Sequence, residues 1–196
     1  MSMKLLKATL VAALALTPGL AAAHTGHGDV AGLAHGFSHP LSGLDHVLAM
    51  VTVGVFASIL GGRALWAVPA SFVGMMAVGG LAGMAGLNLP FVEAGIALSV
   101  VVLGAIVALK LSPPVTLSMA IVGFFAIFHG FAHGTEMPVD ASGIGYGAGF
   151  LFATAALHGA GIALGFALGR IDGARLNRLA GGTIAIAGIG LLGGWL

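Results

Sequence analysis

The chain has 196 residues, of which 59% are hydrophobic and only 7% are charged, and its formal net charge is +1. A soluble protein of this length needs more charge to cover its surface, and the mean hydropathy of +1.11 is typical of a chain whose solvent is lipid. The chain has no Lys/Arg-rich run, which argues against nucleic acid as a partner, and it has no cysteine, which excludes disulfides, thiolate metal sites and cysteine nucleophiles.

The first 23 residues have the pattern of a secretory signal peptide. Lys4 and Lys7 precede a short apolar run at 10–16, a Pro-Gly pair ends that run, and the three alanines at 21–23 supply a cleavage site. We predict that the mature chain begins at His24, outside the cytoplasm of a bacterium. The alternative is an uncleaved first membrane helix.

Two regions follow the signal peptide. Residues 24–40 are rich in glycine and histidine and lack an apolar period, so we predict a periplasmic segment that is ordered in part. Residues 41–196 predict an all-α, polytopic membrane bundle, because six apolar runs each approach the ~20 residues that cross a bilayer. The predicted spans are 41–61, 64–84, 91–109, 115–133, 146–169 and 179–196.

The basic residues predict the orientation of these spans. With residue 24 outside, the loops that contain Arg63, Lys110 and the segment 170–178 all lie inside. Every Lys and Arg after the signal peptide is then cytoplasmic, as the positive-inside rule requires. We therefore predict a multi-pass protein of the bacterial inner membrane with a periplasmic mature N-terminus.

Glycines at four-residue spacing mark one face of the fifth span. Gly161, Gly165 and Gly169 repeat on this face, and small residues at this spacing let helices approach closely in lipid. We predict packing inside one bundle. A homo-oligomer through this face is the alternative.

Ionisable side chains inside a membrane are costly and by default mark a pathway or a site. The predicted topology puts the candidate ligands of this chain in the outer half of the membrane or outside it. Their donors are nitrogen and oxygen without thiolate, which suits Ni²⁺, Co²⁺ or Zn²⁺ better than Cu⁺. The candidate metal ligands are His24, His27, His35, His39, Asp45, His46, Glu93, His129, His133, Glu136 and His158.

Spacing groups several of these candidates. His129 and His133 are four residues apart and share a helix face, which Glu136 extends, so the three side chains can hold a divalent metal. His39, Asp45 and His46 form a second cluster at the entry to the first span. The segment from His35 to His39 echoes the segment from His129 to His133, either by duplication or by coincidence.

Some candidates also have a structural reading. His24 and His27 are equally consistent with a solvated tail, and His158 with a packing residue. Glu93 is either functional or a protonated acid that is hydrogen-bonded to a neighbouring helix. The methionines are interpreted as packing residues.

Two motifs resemble the signatures of the HupE/UreJ family. The first is His39-Pro-Leu-Ser-Gly-Leu-Asp45-His46, and the second is Phe128-His129-Gly-Phe-Ala-His133-Gly-Thr-Glu136. The signal peptide, the six spans and the length agree with the family as well. The resemblance implies a nickel permease, or a cobalt permease, with hydrogenase or urease metallochaperones as downstream partners. It implies His39, Asp45, His46, His129, His133 and Glu136 as pathway residues, and Glu93 by its helix position alone.

These observations predict secondary uptake of a divalent transition metal, with Ni²⁺ or Co²⁺ as cargo and no permanently bound cofactor. No phosphate-binding loop is present, and the chain is not predicted to be an enzyme. Because imidazolium cannot bind metal, transport should weaken as pH falls through about 6.5, the ordinary histidine pKa. The alternatives are a metal sensor or accessory subunit and an intramembrane metalloenzyme.

Overall fold

The computed structural model describes residues 28–137 and 143–196. Helices are the only regular secondary structure in these residues, and turns and loops connect them. The helices are α1 Gly28–Ser42, α2 Leu44–Leu60, α3 Ala64–Met84, α4 Val92–Ala108, α5 Val115–Thr135 and α6 Gly143–Leu192. The predicted signal peptide and the candidates His24 and His27 lie outside the described residues. The all-α prediction is confirmed for the described part of the chain.

The predicted spans correspond to these helices with two differences. The segment 24–40, for which the sequence predicts no helical period, contains most of α1. The fifth and sixth predicted spans belong to one helical run, α6. By length and composition, α3, α5 and the part Gly143–Arg170 of α6 could each cross a membrane, and α1 with α2 forms a fourth, bent candidate. At 17 residues, α4 is apolar but shorter.

The two halves of α6 pack on different helices, the first on α2 and the second on α4. In the first half, Gly161 packs on Val51 of α2 and Gly165 packs on Ser58, so this half is parallel to α2. In the second half, contacts with α4 proceed in antiparallel order. They pair Gly181 with Ala108 and Gly188 with Val101.

A straight α6 is incompatible with the interior contacts. At 1.5 Å per residue, a straight helix would separate His158 from Gly188 by about 45 Å. Yet Gly188 touches Val101, two residues from Ser99, and Ser99 reaches His158 through contacts of 2.9, 5.6 and 5.0 Å. The chain therefore turns back within α6, so that its second half runs beside α4.

Glycine seams hold the helices at close range. A Cβ at Gly54 or Gly161 would overlap the backbone of the facing helix at the α2–α6 contact. Gly79 and Gly130 make the same kind of contact between α3 and α5, which pack together most extensively. Such contacts are typical of helices in lipid, where van der Waals packing replaces the hydrophobic effect as the force between them.

The outside of the bundle is apolar and the inside contains the polar groups. Large hydrophobic side chains such as Val78, Leu81, Phe152 and Ile186 are more than half exposed, whereas three histidines are almost fully buried. The interior is otherwise apolar, and an apolar surface around it fits a protein of the membrane.

Candidate metal centre

A sharp corner between α1 and α2 brings the first histidine motif to the end of α5. The two helices meet at 84° around Gly43, whose backbone is extended, and the Ser42 hydroxyl donates to the His39 carbonyl at 2.6 Å. A Cβ at Gly43 would lie 2.7 Å from an Asp45 carboxylate oxygen. Glycine at this position therefore leaves room for the Asp45–His46 pair.

The most exposed part of the site is formed by His39, His133 and Glu136. His39 Nε2 lies 3.0 Å from Glu136 Oε2, and the ligand atoms of all three residues lie within 4.8 Å of one another. Two ligands on opposite sides of a metal ion stand about 4.2 Å apart when each bond is ~2.1 Å. A modest side-chain rotation would therefore bring these three groups onto one ion.

The two predicted clusters form one continuous group. The ring of His46 lies 4.3 Å from that of His133 and 4.8 Å from that of His129, while His39 lies 4.8 Å from His133. Side-chain exposure of His39 is 37%, whereas His133, His46 and His129 are buried. The four imidazoles, called the outer histidine group below, thus lead from the surface into the core.

Asp45 orients His46. Its Oδ1 accepts hydrogen bonds from the backbone N–H and from Nδ1 of His46, both at 2.7 Å. An ionised carboxylate only accepts, so Nδ1 carries the proton of the neutral ring. His46 Nε2 is left with its lone pair, and it is buried without a hydrogen-bond partner in the described part of the chain. Carboxylate–histidine pairs of this kind commonly present the second nitrogen to a metal.

Ser99 performs the same role for His129. The Ser99 hydroxyl donates its single proton to the Ile96 carbonyl at 2.6 Å, so at 2.9 Å it accepts from His129 Nε2–H. This assignment leaves the lone pair on His129 Nδ1, which has no hydrogen-bond partner among the described residues. His46 and His129 are therefore each buried with one ring nitrogen that has a lone pair and no hydrogen-bond partner among the described residues.

His133 connects the exposed and the buried parts of the group. Both of its ring nitrogens lack a hydrogen-bond partner within the described ranges, and Phe150 packs 4.0 Å away, centroid to centroid. Tyr146 stacks parallel to Phe150 and lies 6.1 Å from His39. These aromatic rings form an apolar wall beside an imidazole that has both nitrogens free.

His158 lies deeper than the outer histidine group. It is 1% exposed, and its ring contacts Phe72 at 5.0 Å, while Phe72 also contacts His129 at 5.6 Å. Gly54 packs on the His158 carbonyl, and Gly54 is eight residues beyond His46 on α2. His158 is therefore roughly 12 Å further along the bundle than His46.

Two candidates lie apart from this group. Glu93 is exposed on the first turn of α4, and its carboxylate forms no hydrogen bond or ion pair within residues 28–137 and 143–196. His35 is exposed on α1, so the echo between the two histidine motifs extends to His39 and His133 but not to His35 and the buried His129.

The sequence reasoning missed Ser99 and Phe72. The sequence offers one signal for Ser99, which is a polar residue inside an otherwise apolar run. Phe72 gave no signal, because one phenylalanine in an apolar helix is ordinary.

Similarity to known proteins identifies the family of the chain. The family model described as HupE / UreJ protein matches residues 12–191. A relative named Protein HupE, from Rhizobium leguminosarum bv. viciae, is 49% identical over 187 residues, which is 95% of this chain and 96% of that protein. No solved structure shows significant similarity to the chain. The chain belongs to the HupE/UreJ family.

Proposed function

We propose that this protein takes up a divalent transition metal, Ni²⁺ first and Co²⁺ as the second choice, across the bacterial inner membrane. The observation that carries the proposal is the outer histidine group, which leads from the exposed His39–Glu136 pair to the buried His129. Unpaired polar nitrogens in a protein interior are costly, which favours a function that uses them. The nitrogen and oxygen donors favour Ni²⁺, Co²⁺ or Zn²⁺ over Cu⁺, and the preference for nickel among these rests on the family resemblance.

The proposed topology has six membrane crossings after a cleaved signal peptide. The two halves of α6 supply the fifth and sixth crossings, α4 the third, and the bent α1–α2 pair the first. In this orientation the outer histidine group faces the periplasm. The proposed order of transfer is capture at His39, Glu136 and His133, followed by passage to His46 and His129.

Asp45 and Ser99 fix the tautomers of the two innermost imidazoles of the outer histidine group, His46 and His129. Each holds the proton of one imidazole on the nitrogen that faces away from the metal, so binding requires no proton transfer at His46 or His129. A partly hydrated ion can exchange its water for these nitrogens in sequence. The ligand atoms are close enough that each step moves the ion by only a few ångströms.

The proposal requires no ATP. Moving one charge through 100 mV is worth ~2.3 kcal/mol, so a divalent ion that enters a negative cytoplasm gains about 4.6 kcal/mol per 100 mV. This corresponds to an accumulation ratio of roughly 2,000. The membrane potential is therefore a sufficient driving force.

The test is the initial rate of radiolabelled Ni²⁺ uptake by cells that express the full chain. His133→Ala should abolish uptake at equal expression, because His133 joins the exposed and buried ligands. His35→Ala is the matched control, since it removes an exposed histidine outside the group and should leave the rate unchanged. Competition by excess Co²⁺ or Zn²⁺ would rank the metals.

Absence of uptake above background by well-expressed wild-type protein would overturn the permease proposal. If the purified chain then still bound metal through His133, a sensor or accessory subunit would be the better assignment. Substrate turnover by metal-loaded protein without metal transport would instead indicate an intramembrane metalloenzyme.

A further inference from the structure

Behind the outer histidine group lies a second set of buried donors around His158. His158 follows Thr154 by one turn of α6, so the two side chains share a helix face. The Thr154 hydroxyl donates to Met76 Sδ at 3.7 Å, and Met76 in turn follows Phe72 by one turn of α3. These four residues therefore form two facing pairs across the contact between α3 and α6.

This set is buried and incompletely paired. Thr154 and Met76 are 0% exposed and His158 is 1% exposed. Both ring nitrogens of His158 lack a hydrogen-bond partner in the part of the chain that the structure describes. A histidine that served only packing would be expected to satisfy at least one nitrogen, because an unpaired buried polar atom is costly.

Phe72 separates the two sets. Its ring contacts both His129 and His158, and no direct ring contact between these two histidines occurs among the described residues. An apolar ring offers a metal ion no ligand. An ion bound to His129 would therefore have to pass the Phe72 ring before it reached the nitrogen, hydroxyl and thioether donors of His158, Thr154 and Met76.

We propose that His158, with Thr154 and Met76 beside it, is an inner metal-binding station that receives the ion from His129 past the Phe72 ring. This inference rests on the proposed function and assigns a later step to it. Loss of His158 should block passage but not capture, because the outer histidine group remains intact. Loss of His133 should prevent both.

The absence of cysteine from the chain allows a matched pair of variants. His158→Cys and His158→Ser remove the same ring and leave nearly the same space, but only the cysteine supplies a strong metal ligand. In purified full-length protein with Ni²⁺, His158→Cys should show a thiolate-to-metal charge-transfer absorption that His158→Ser lacks. Cellular uptake by His158→Ser should fall at least tenfold, while its equilibrium Ni²⁺ binding stays within about threefold of wild type.

Two outcomes would overturn the inner station. One is uptake by His158→Ser within twofold of wild type, and the other is a folded, metal-loaded His158→Cys without the charge-transfer band. Where the small variants do not give monodisperse protein, His158→Phe keeps a ring against Phe72 and should show the same loss of uptake. Failure of wild-type uptake would instead overturn the permease proposal, and the cysteine absorption would still decide whether metal reaches position 158.

Discussion

At the residue scale, the buried histidines differ from ordinary core histidines in how their protons are fixed. Ser99 gives its own proton to the Ile96 carbonyl and therefore accepts the proton of His129. Ser99→Ala removes that acceptor, so the proton of His129 can shift to Nδ1 and mask the metal-binding lone pair. Outer-shell partners of this kind commonly contribute 10–100-fold to metal affinity, and we expect about a tenfold loss in equilibrium Ni²⁺ binding.

Ser118→Ala is the matched control for this prediction. Ser118 is equally buried, but its hydroxyl donates only to the backbone carbonyls of Pro113 and Pro114. Its loss should leave Ni²⁺ affinity unchanged. Equal affinity in Ser99→Ala and Ser118→Ala would show that Ser99 does not set the tautomer of His129.

The residues that meet in the candidate site could be predicted from sequence, but the contacts between the two predicted clusters could not. Ionisable residues are so rare in this chain that His46, His129 and His133 are recognisable by position alone. The fusion of the two predicted clusters depends on the corner at Gly43, which points α1 toward the end of α5. That direction is set by tertiary contacts and leaves no periodic signal in the sequence.

At the element scale, the helices are positioned by glycine contacts. A Cβ at Gly161 would overlap the Val51 carbonyl, so Gly161→Ala must push α6 away from α2. We expect a destabilisation of about 1–3 kcal/mol, which is typical of overpacking, measured as a lower thermal unfolding temperature of the purified protein in detergent.

Gly159→Ala provides the comparison on the same helix. Gly159 is exposed and a Cβ there would meet nothing within 4 Å, so alanine should be neutral or stabilise the helix by up to about 1 kcal/mol. A common unfolding temperature for Gly159→Ala and Gly161→Ala would contradict the close α2–α6 seam.

Helix positions could be predicted well wherever hydropathy decides them. The run at 64–84 coincides with α3, and the runs at 91–109 and 115–133 agree with α4 and α5 to within two residues. The helix in the glycine- and histidine-rich segment could not be predicted in this way. Leu33, Phe37 and Leu41 do recur there at helical spacing, a period that the composition of the segment hides, and Gly36 and Gly149 let α1 pack closely on α6, which stabilises the short helix.

At the scale of the whole molecule, the two ends of the bundle differ in charge. The outer histidine group occupies one end. At the other end, Lys110 lines a cavity of about 470 Å³ together with Ser58, Gly169 and Asn177. Arg63 lies 5.7 Å from the ring of Trp66, an exposed aromatic of the kind that anchors a helix at the membrane surface. Under the proposed function, the positive charge of Lys110 in the cavity wall would disfavour retention of a metal ion at this end.

If the protein carries Ni²⁺ from the histidine end to the lysine end, the membrane potential should drive the transport. In right-side-out vesicles that contain the protein, a potassium diffusion potential, negative inside, should accelerate Ni²⁺ entry. At equilibrium it should raise internal Ni²⁺ toward about 2,000-fold per 100 mV, since two charges cross the field. Collapsing the potential should reduce accumulation to the equilibrium ratio of one, whereas a pH gradient at fixed potential should not change it. Accumulation that follows the pH gradient at constant potential would instead require proton coupling, and Asp45 and Glu93 would be the first carboxylates to replace.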